Sequence, residues 1–389
     1  LVEVDLANLT QRHVPFNRLH PSGLSDNNIW SLYRDSRGLI WIGAGESLNI
    51  YDARNTAVKH IIGGLAEPHG LPAPKTHAVV ALEDSLVVAN GSLGLFELSP
   101  THGVTQSWWQ AAKDPVETLY VTPDQILYAS SNFATVSLPS PDRKVIPVSV
   151  GERPASVFSG AFADTGKLFW IGGPDGLWMQ SKSNPDSAKQ ILTNTIHDRR
   201  VSALLSTPQA LWVGTWRGLY KVTLTDDGED VSQIDTIAHA ALQQQFVSDI
   251  YADSHGNIWV ATSGGGVFVG ASSQSSWQQL THENGLPGNS IAAIAGESEG
   301  EIWVGTSRGI AAISTQDYQI RKVVTGRQAI NSPYARGAAT LTADGNAVFG
   351  GKNGLTIVTP SQLAVSNEQL ALVFTNVSVL TEKGELHPI

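Results

Sequence analysis

Residues 297–305 read ESEGEIWVG, and the phrase returns along the chain as DSRGLIWIG at 35–43, DTGKLFWIG at 164–172, TPQALWVG at 207–214 and DSHGNIWVA at 253–261. Weaker copies read DSLVVAN at 84–90, PDQILYAS at 123–130 and DGNAVFGG at 344–351. Aligning them on the tryptophan places the units at Trp41, Val87, Leu127, Trp170, Trp212, Trp259, Trp303 and Val348, with gaps of 46, 40, 43, 42, 47, 44 and 45 residues. Ahead of each phrase lies a short apolar or alternating run, such as IWSLYR at 29–34, VSALLS at 201–206 and SIAAIA at 290–295. Such runs read as buried strands. The D-x-x-G between run and phrase suits a tight hairpin, with its glycine at positive φ. A second turn (TWRGL at 215–219, TSRGI at 306–310) leads to a third strand such as LYKV or IAAI.

A period of about 44 residues built from four short strands is that of a propeller blade. The fold class is therefore all-β, a β-propeller of four-stranded blades over residues 1–362. Eight inner-strand runs predict eight blades. Seven is the alternative, if residues 1–28 or the last unit belong to a neighbouring ring. The last unit lacks a clear fourth strand. LVEVD at 1–5 and RHVPF at 12–16 read as strands, so the N-terminal strands are expected to complete the last blade and close the ring. Beyond residue 362 the rhythm stops, and 363–389 reads as the start of another β domain or as a linker.

Composition narrows the function. The formal charge is −10, with 15% charged residues, which argues against nucleic acid as a partner. No apolar run is long enough to cross a bilayer as a helix. There are no cysteines, so disulfides, thiolate metal sites and cysteine nucleophiles are excluded. No cofactor or metal motif stands out. The repeated tryptophans read as core, because each lies mid-strand among apolar neighbours. The recurrent glycines read as turn residues. Asp35 and Asp253 read as caps of their own turns rather than metal ligands.

The units at 23–52 (GLSDNNIWSLYRDSRGLIWIGAGESLNIYD) and 285–314 (GLPGNSIAAIAGESEGEIWVGTSRGIAAIS) resemble the two-component regulator propeller repeat. The resemblance runs over roughly residues 1–360. It is strong around Trp41, Trp212, Trp259 and Trp303 and weak around Val87 and Leu127. The tail resembles the start of the immunoglobulin-like domain that follows such propellers. The resemblance implies a non-catalytic, periplasmic ligand sensor of an inner-membrane signalling protein with a histidine kinase or diguanylate cyclase output. It also implies an oligosaccharide or other small polar ligand, and a homodimer formed through the C-terminal region.

Propeller sites form where loops converge at one mouth of the channel. Loops entering the inner strands supply Asn28, His77, Arg199, Arg200, Asn289 and Arg336; hairpins between the second and third strands supply Trp216, Arg217, Arg308 and Lys352. This set is basic and partly aromatic in an acidic chain, and it suits a polar or anionic sugar-like ligand. Trp216 stands out because Ser263 and Ser307 occupy the equivalent places. The alternative is a propeller lyase or hydrolase using mouth histidines and acids. It requires a histidine and a carboxylate within hydrogen-bond reach.

Overall fold

The computed structural model describes residues 1–5, 9–13, 23–36, 38–52, 57–64, 70–83, 85–99, 103–108, 114–131, 134–138, 146–150, 153–154, 161–184, 188–191, 196, 198–208, 210–271, 276–363, 378–380 and 386–388. It is an all-β chain, with only short 3-10 turns besides strands among these residues. Six sheets are meanders of consecutive antiparallel strands. Their first strands are Thr76–Leu82, Thr118–Val121, Ala161–Asp164, Val201–Thr207, Val247–Ala252 and Ile291–Ser298. A seventh begins at Tyr334–Leu341 and continues through Ala347–Gly351 and Gly354–Val358. The first strands pack in that order, and Tyr334–Leu341 packs back against Thr76–Leu82.

The fourth strand of the seventh sheet is Val58–Ile62, antiparallel to Gly354–Val358. This corrects the expectation that residues 1–16 supply it. Val2–Asp5 pairs instead with Thr10–His13; residues 14–16 lie outside the described residues. The physical reason is burial. Val58 and Ile61 pack against the apolar clusters around Val358 and Leu355, whereas Val2 and Val4 are exposed.

The Trp41 unit forms a separate three-stranded sheet of Ile29–Arg34, Ile40–Ala44 and Ser47–Tyr51. Leu32, Leu48 and Ile50 are exposed there. Their counterparts in the Trp259 unit, Ile250, Val267 and Val269, are buried. The expected run of eight like sheets thus differs from the seven that pack in sequence.

Within a unit the tryptophan is the centre of the core. Trp170, Trp212, Trp259 and Trp303 are fully buried. The glycine two residues later has a packing role that its reading as a turn residue missed. A Cβ on Gly214 would lie 2.4 Å from Val247 Cγ1 on the next inner strand, so the bare backbone lets adjacent sheets approach. Hairpin glycines such as Gly309 (φ +157) do serve turns, and there a Cβ would also strike Val324 O at 2.3 Å.

The aspartate of D-x-x-G ties its turn to the tryptophan. Asp253 Oδ1 accepts from the backbone N–H of His255 and Asn257, and Oδ2 accepts from Trp259 Nε1 at 2.8 Å. Asp35 accepts from Leu39 N and, at 3.1 Å, from Trp41 Nε1. Of residues 364–389, only Ser378–Leu380 and Leu386–Pro388 are described, as an antiparallel pair.

Candidate functional site

Several inner strands begin with an irregular pair. Register shifts fall between Thr76 and Ala78, Val201 and Ala203, and Val247 and Asp249. The residue bulged out at this step turns toward the next sheet. Ser202 Oγ donates to Val247 O, and Ser248 Oγ donates to Ile291 O, each at 2.6 Å. His77 occupies the same step. Its Nδ1 lies 3.2 Å from Glu117 Oε1, and its side chain is only 8% exposed. Burial alone would raise the Glu117 pKa. His77, with Lys75 and Arg336 behind it, more than offsets this and holds the carboxyl below its ordinary value. His77 therefore joins two sheets from within.

The mouth on this side is built around Trp216. Arg200 stacks on it, Cζ 4.2 Å from the ring centroid. The guanidinium is held flat by Asp198, which accepts from Nε at 2.9 Å and from Nη2 at 2.6 Å; this contact keeps the Asp198 pKa low. Trp216 also meets Phe246, centroid to centroid 5.5 Å. Arg336 lies over Phe246 at 5.5 Å. Arg200, Trp216, Phe246 and Arg336 thus form one alternating ladder of cation and aromatic ring, carried by three sheets. Trp216 remains 38% exposed and the Arg200 side chain 46% exposed, so part of the indole and a fixed guanidinium edge are open to solvent. Such a surface suits stacking of a planar or pyranose-like face with polar groups at its rim.

Of the ten residues expected at the mouth, the structure brings Arg200, Trp216 and Arg336 into this ladder. Arg217 follows Trp216 directly and is exposed, its N–H donating to Thr215 Oγ1. Arg199 is exposed beside Arg200. Arg308 and Lys352 are exposed at the corresponding hairpins of other sheets. Asn289 is engaged locally, its Oδ1 accepting from His282 N at 2.7 Å. Asn28 lies in the separate Trp41 unit, where its N–H donates to Asp26 Oδ1. Phe246 was missed. It looks like an ordinary apolar residue ahead of a strand, and nothing local marks it as a link between Trp216 and Arg336.

Below the ladder is a cavity of about 150 Å³, bounded by five inner strands. Glu117, Ser202, Ser248, Asp249 and Arg336 supply its polar wall. Asp249 accepts from its own strand at Ile250 N and from the next sheet at Ile294 N. Burial nevertheless pushes its pKa up to about 6.

With this geometry in hand, the comparisons are direct. Residues 23–46, 241–264 and 285–308 match the family model of the two component regulator propeller, so the chain carries that repeat. The extracellular domain of a hybrid two component system from B. thetaiotaomicron superposes with a TM-score of 0.73 at 19% identity. The match covers 95% of this chain and 51% of that one, so the chain spans about half the length of that domain. A streptogramin B lyase (TM-score 0.59, 12% identity) and a virginiamycin B lyase from Staphylococcus aureus (0.61, 10%) each cover 78% of this chain, and 97% and 98% of their own. At these identities the likeness is one of fold. Comparison with curated protein sequences finds no match.

Proposed function

We propose that the seven packed sheets form a seven-bladed ring closed by Val58–Ile62, and that this ring is the ligand-binding part of an extracytoplasmic sensor. The Trp41 unit then stands outside the ring as a blade of a neighbouring one, its exposed Leu32, Leu48 and Ile50 facing the sheet before it. The observation that carries the binding role is the open Arg200–Trp216 stack with Phe246 and Arg336 behind it. The ligand is a small oligosaccharide or similarly polar molecule stacked on Trp216. The repeat match and the fold likeness to a two component extracellular domain support a place in the periplasm, on a membrane-bound signalling protein with a kinase or cyclase output. Residues 363–389 belong to a following β domain that makes the dimer contact.

The ring itself is non-catalytic. Among the described residues, the histidine and carboxylate within reach, His77 and Glu117, are used up in joining two sheets. A thermal-shift screen against neutral, uronic and sulfated oligosaccharides, with amino acids as controls, tests the reading. One sugar class should raise Tm dose-dependently in the wild type and not in Trp216→Ala. A flat screen, or an equal rise in both proteins, contradicts it, and turnover of the sugar contradicts the non-catalytic role.

A further inference from the structure

The strand that carries Arg336 is deformed more than any of its equivalents described above. Tyr334 pairs with Gly351 and Ala339 with Phe349, so residues 335–338 stand opposite Gly350 alone. Gly337 follows Arg336 at φ +65. A Cβ there would meet nothing within 4 Å, so the glycine serves the backbone turn rather than close packing. A bulge of this kind re-aims a side chain. Here it sends Arg336 into the cavity, past the neighbouring inner strand, whose Ala292, Ala293 and Ala295 are small, as far as Phe246.

The cation placed there lacks a matching acceptor. Among the described residues the Arg336 guanidinium donates no hydrogen bond; it contacts the Phe246 ring and feels the charges of Glu117 and Asp249. Each of those acids is engaged elsewhere. Glu117 faces His77, and both Asp249 oxygens take backbone N–H groups. Arg200, by contrast, is neutralised by its fork with Asp198. A recessed guanidinium with its donors open is a carboxylate receptor, because its fork matches the two oxygens of that group.

We propose that Arg336 anchors a carboxylate of the ligand, so that the site takes a uronate or another acidic sugar, its ring on Trp216 and its acid group in the cavity. This deepens the reading of the mouth as a sugar site and rests on it. Asp249 and Glu117 face the anchor and act on it by their charge; neither offers it a hydrogen bond.

Isothermal titration of the full chain with glucuronate and with glucose, repeated for Arg336→Gln, Arg336→Lys and Trp216→Ala, tests this. Wild type should prefer glucuronate to glucose by tenfold or more. Arg336→Gln should lose 10- to 100-fold in glucuronate affinity, so that the preference over glucose disappears, the size expected for a charged hydrogen-bonded pair. Arg336→Lys should recover only part, because an ammonium cannot form the fork. Equal binding of both sugars by wild type, undiminished glucuronate binding by Arg336→Gln, or no glucuronate binding by wild type overturns the anchor. The mouth itself fails separately, if Trp216→Ala leaves both sugars bound as before. A purely structural Arg336 would change the melting temperature of Arg336→Gln and leave the sugar preference alone.

Discussion

Asp253 shows how one residue sets a blade. Its carboxylate collects two turn N–H groups, an asparagine amide and the indole N–H of the core tryptophan. Removing it leaves buried donors unpaired. Asp253→Ala should therefore cost about 1–3 kcal/mol of unfolding free energy, read by urea denaturation. Trp212 Nε1 and Trp303 Nε1 lack such a partner among the described residues, because their turns put Ser206 and Glu297 where the aspartate would stand. Glu297 turns instead to Ser254. The charged groups of the cavity give opposite pH signs. The Asp249 pKa is raised by burial to about 6, above its unfolded range near 4. Its contribution is therefore full below pH 4 and is lost as pH rises through 6. Glu117, held low by His77, contributes stability above its unfolded pKa that is lost as pH falls through its folded one. Unfolding free energies at pH 4.5 and 7.5 should show an Asp249-dependent fall on the order of 1–3 kcal/mol, absent in Asp249→Asn. Residue identity alone revealed the tryptophan core and the aspartate caps. It could not reveal that His77 belongs with Ser202 and Ser248, since the three share a bulge position and not a chemistry.

At the scale of the element, the strands that matter are those whose backbone cannot accept a side chain. Gly354 (φ +128) opens the strand that pairs with Val58–Ile62, and a Cβ there would lie 2.0 Å from Ile61 O. Gly228 (φ +69) has nothing within 4 Å. At φ +69 alanine meets only the left-handed cost, whereas φ +128 is nearly closed to it, so the difference sums backbone strain and the contact with Ile61 O. Gly354→Ala should be more destabilising than Gly228→Ala by at least ~1 kcal/mol, measured by the same urea titration. The period of the repeat made nearly every inner strand legible, because large apolar residues and turn glycines recur together. The strand that completes the last sheet was not legible. VKHII at 58–62 and RHVPF at 12–16 are equally short and apolar, and which one pairs with the last unit depends on a partner some 300 residues away. The wide bulge at Arg336 was hidden for a similar reason, as register is a property of two strands and not of one.

For the whole molecule, closure and binding are separable. If Val58–Ile62 completes the ring, a chain starting at residue 53 should keep a cooperative melt, and one starting at residue 64 should lose it or melt far lower. Circular dichroism on the two truncations distinguishes the cases. The sequence made the repeat architecture and a basic mouth visible. It left open which of the ten candidate residues converge, because convergence needs the spatial order of the sheets, and a repeat gives only their order along the chain. The most direct measurement on the binding role is hydrogen exchange of the full chain with and without a saturating pool of neutral and uronate oligosaccharides. Protection is expected at residues 198–200, 215–217 and 246 and along 334–337, with residues 26–49 and 282–289 unchanged. No protection anywhere, or protection confined to those last two segments, would contradict a sugar site at the Trp216 mouth.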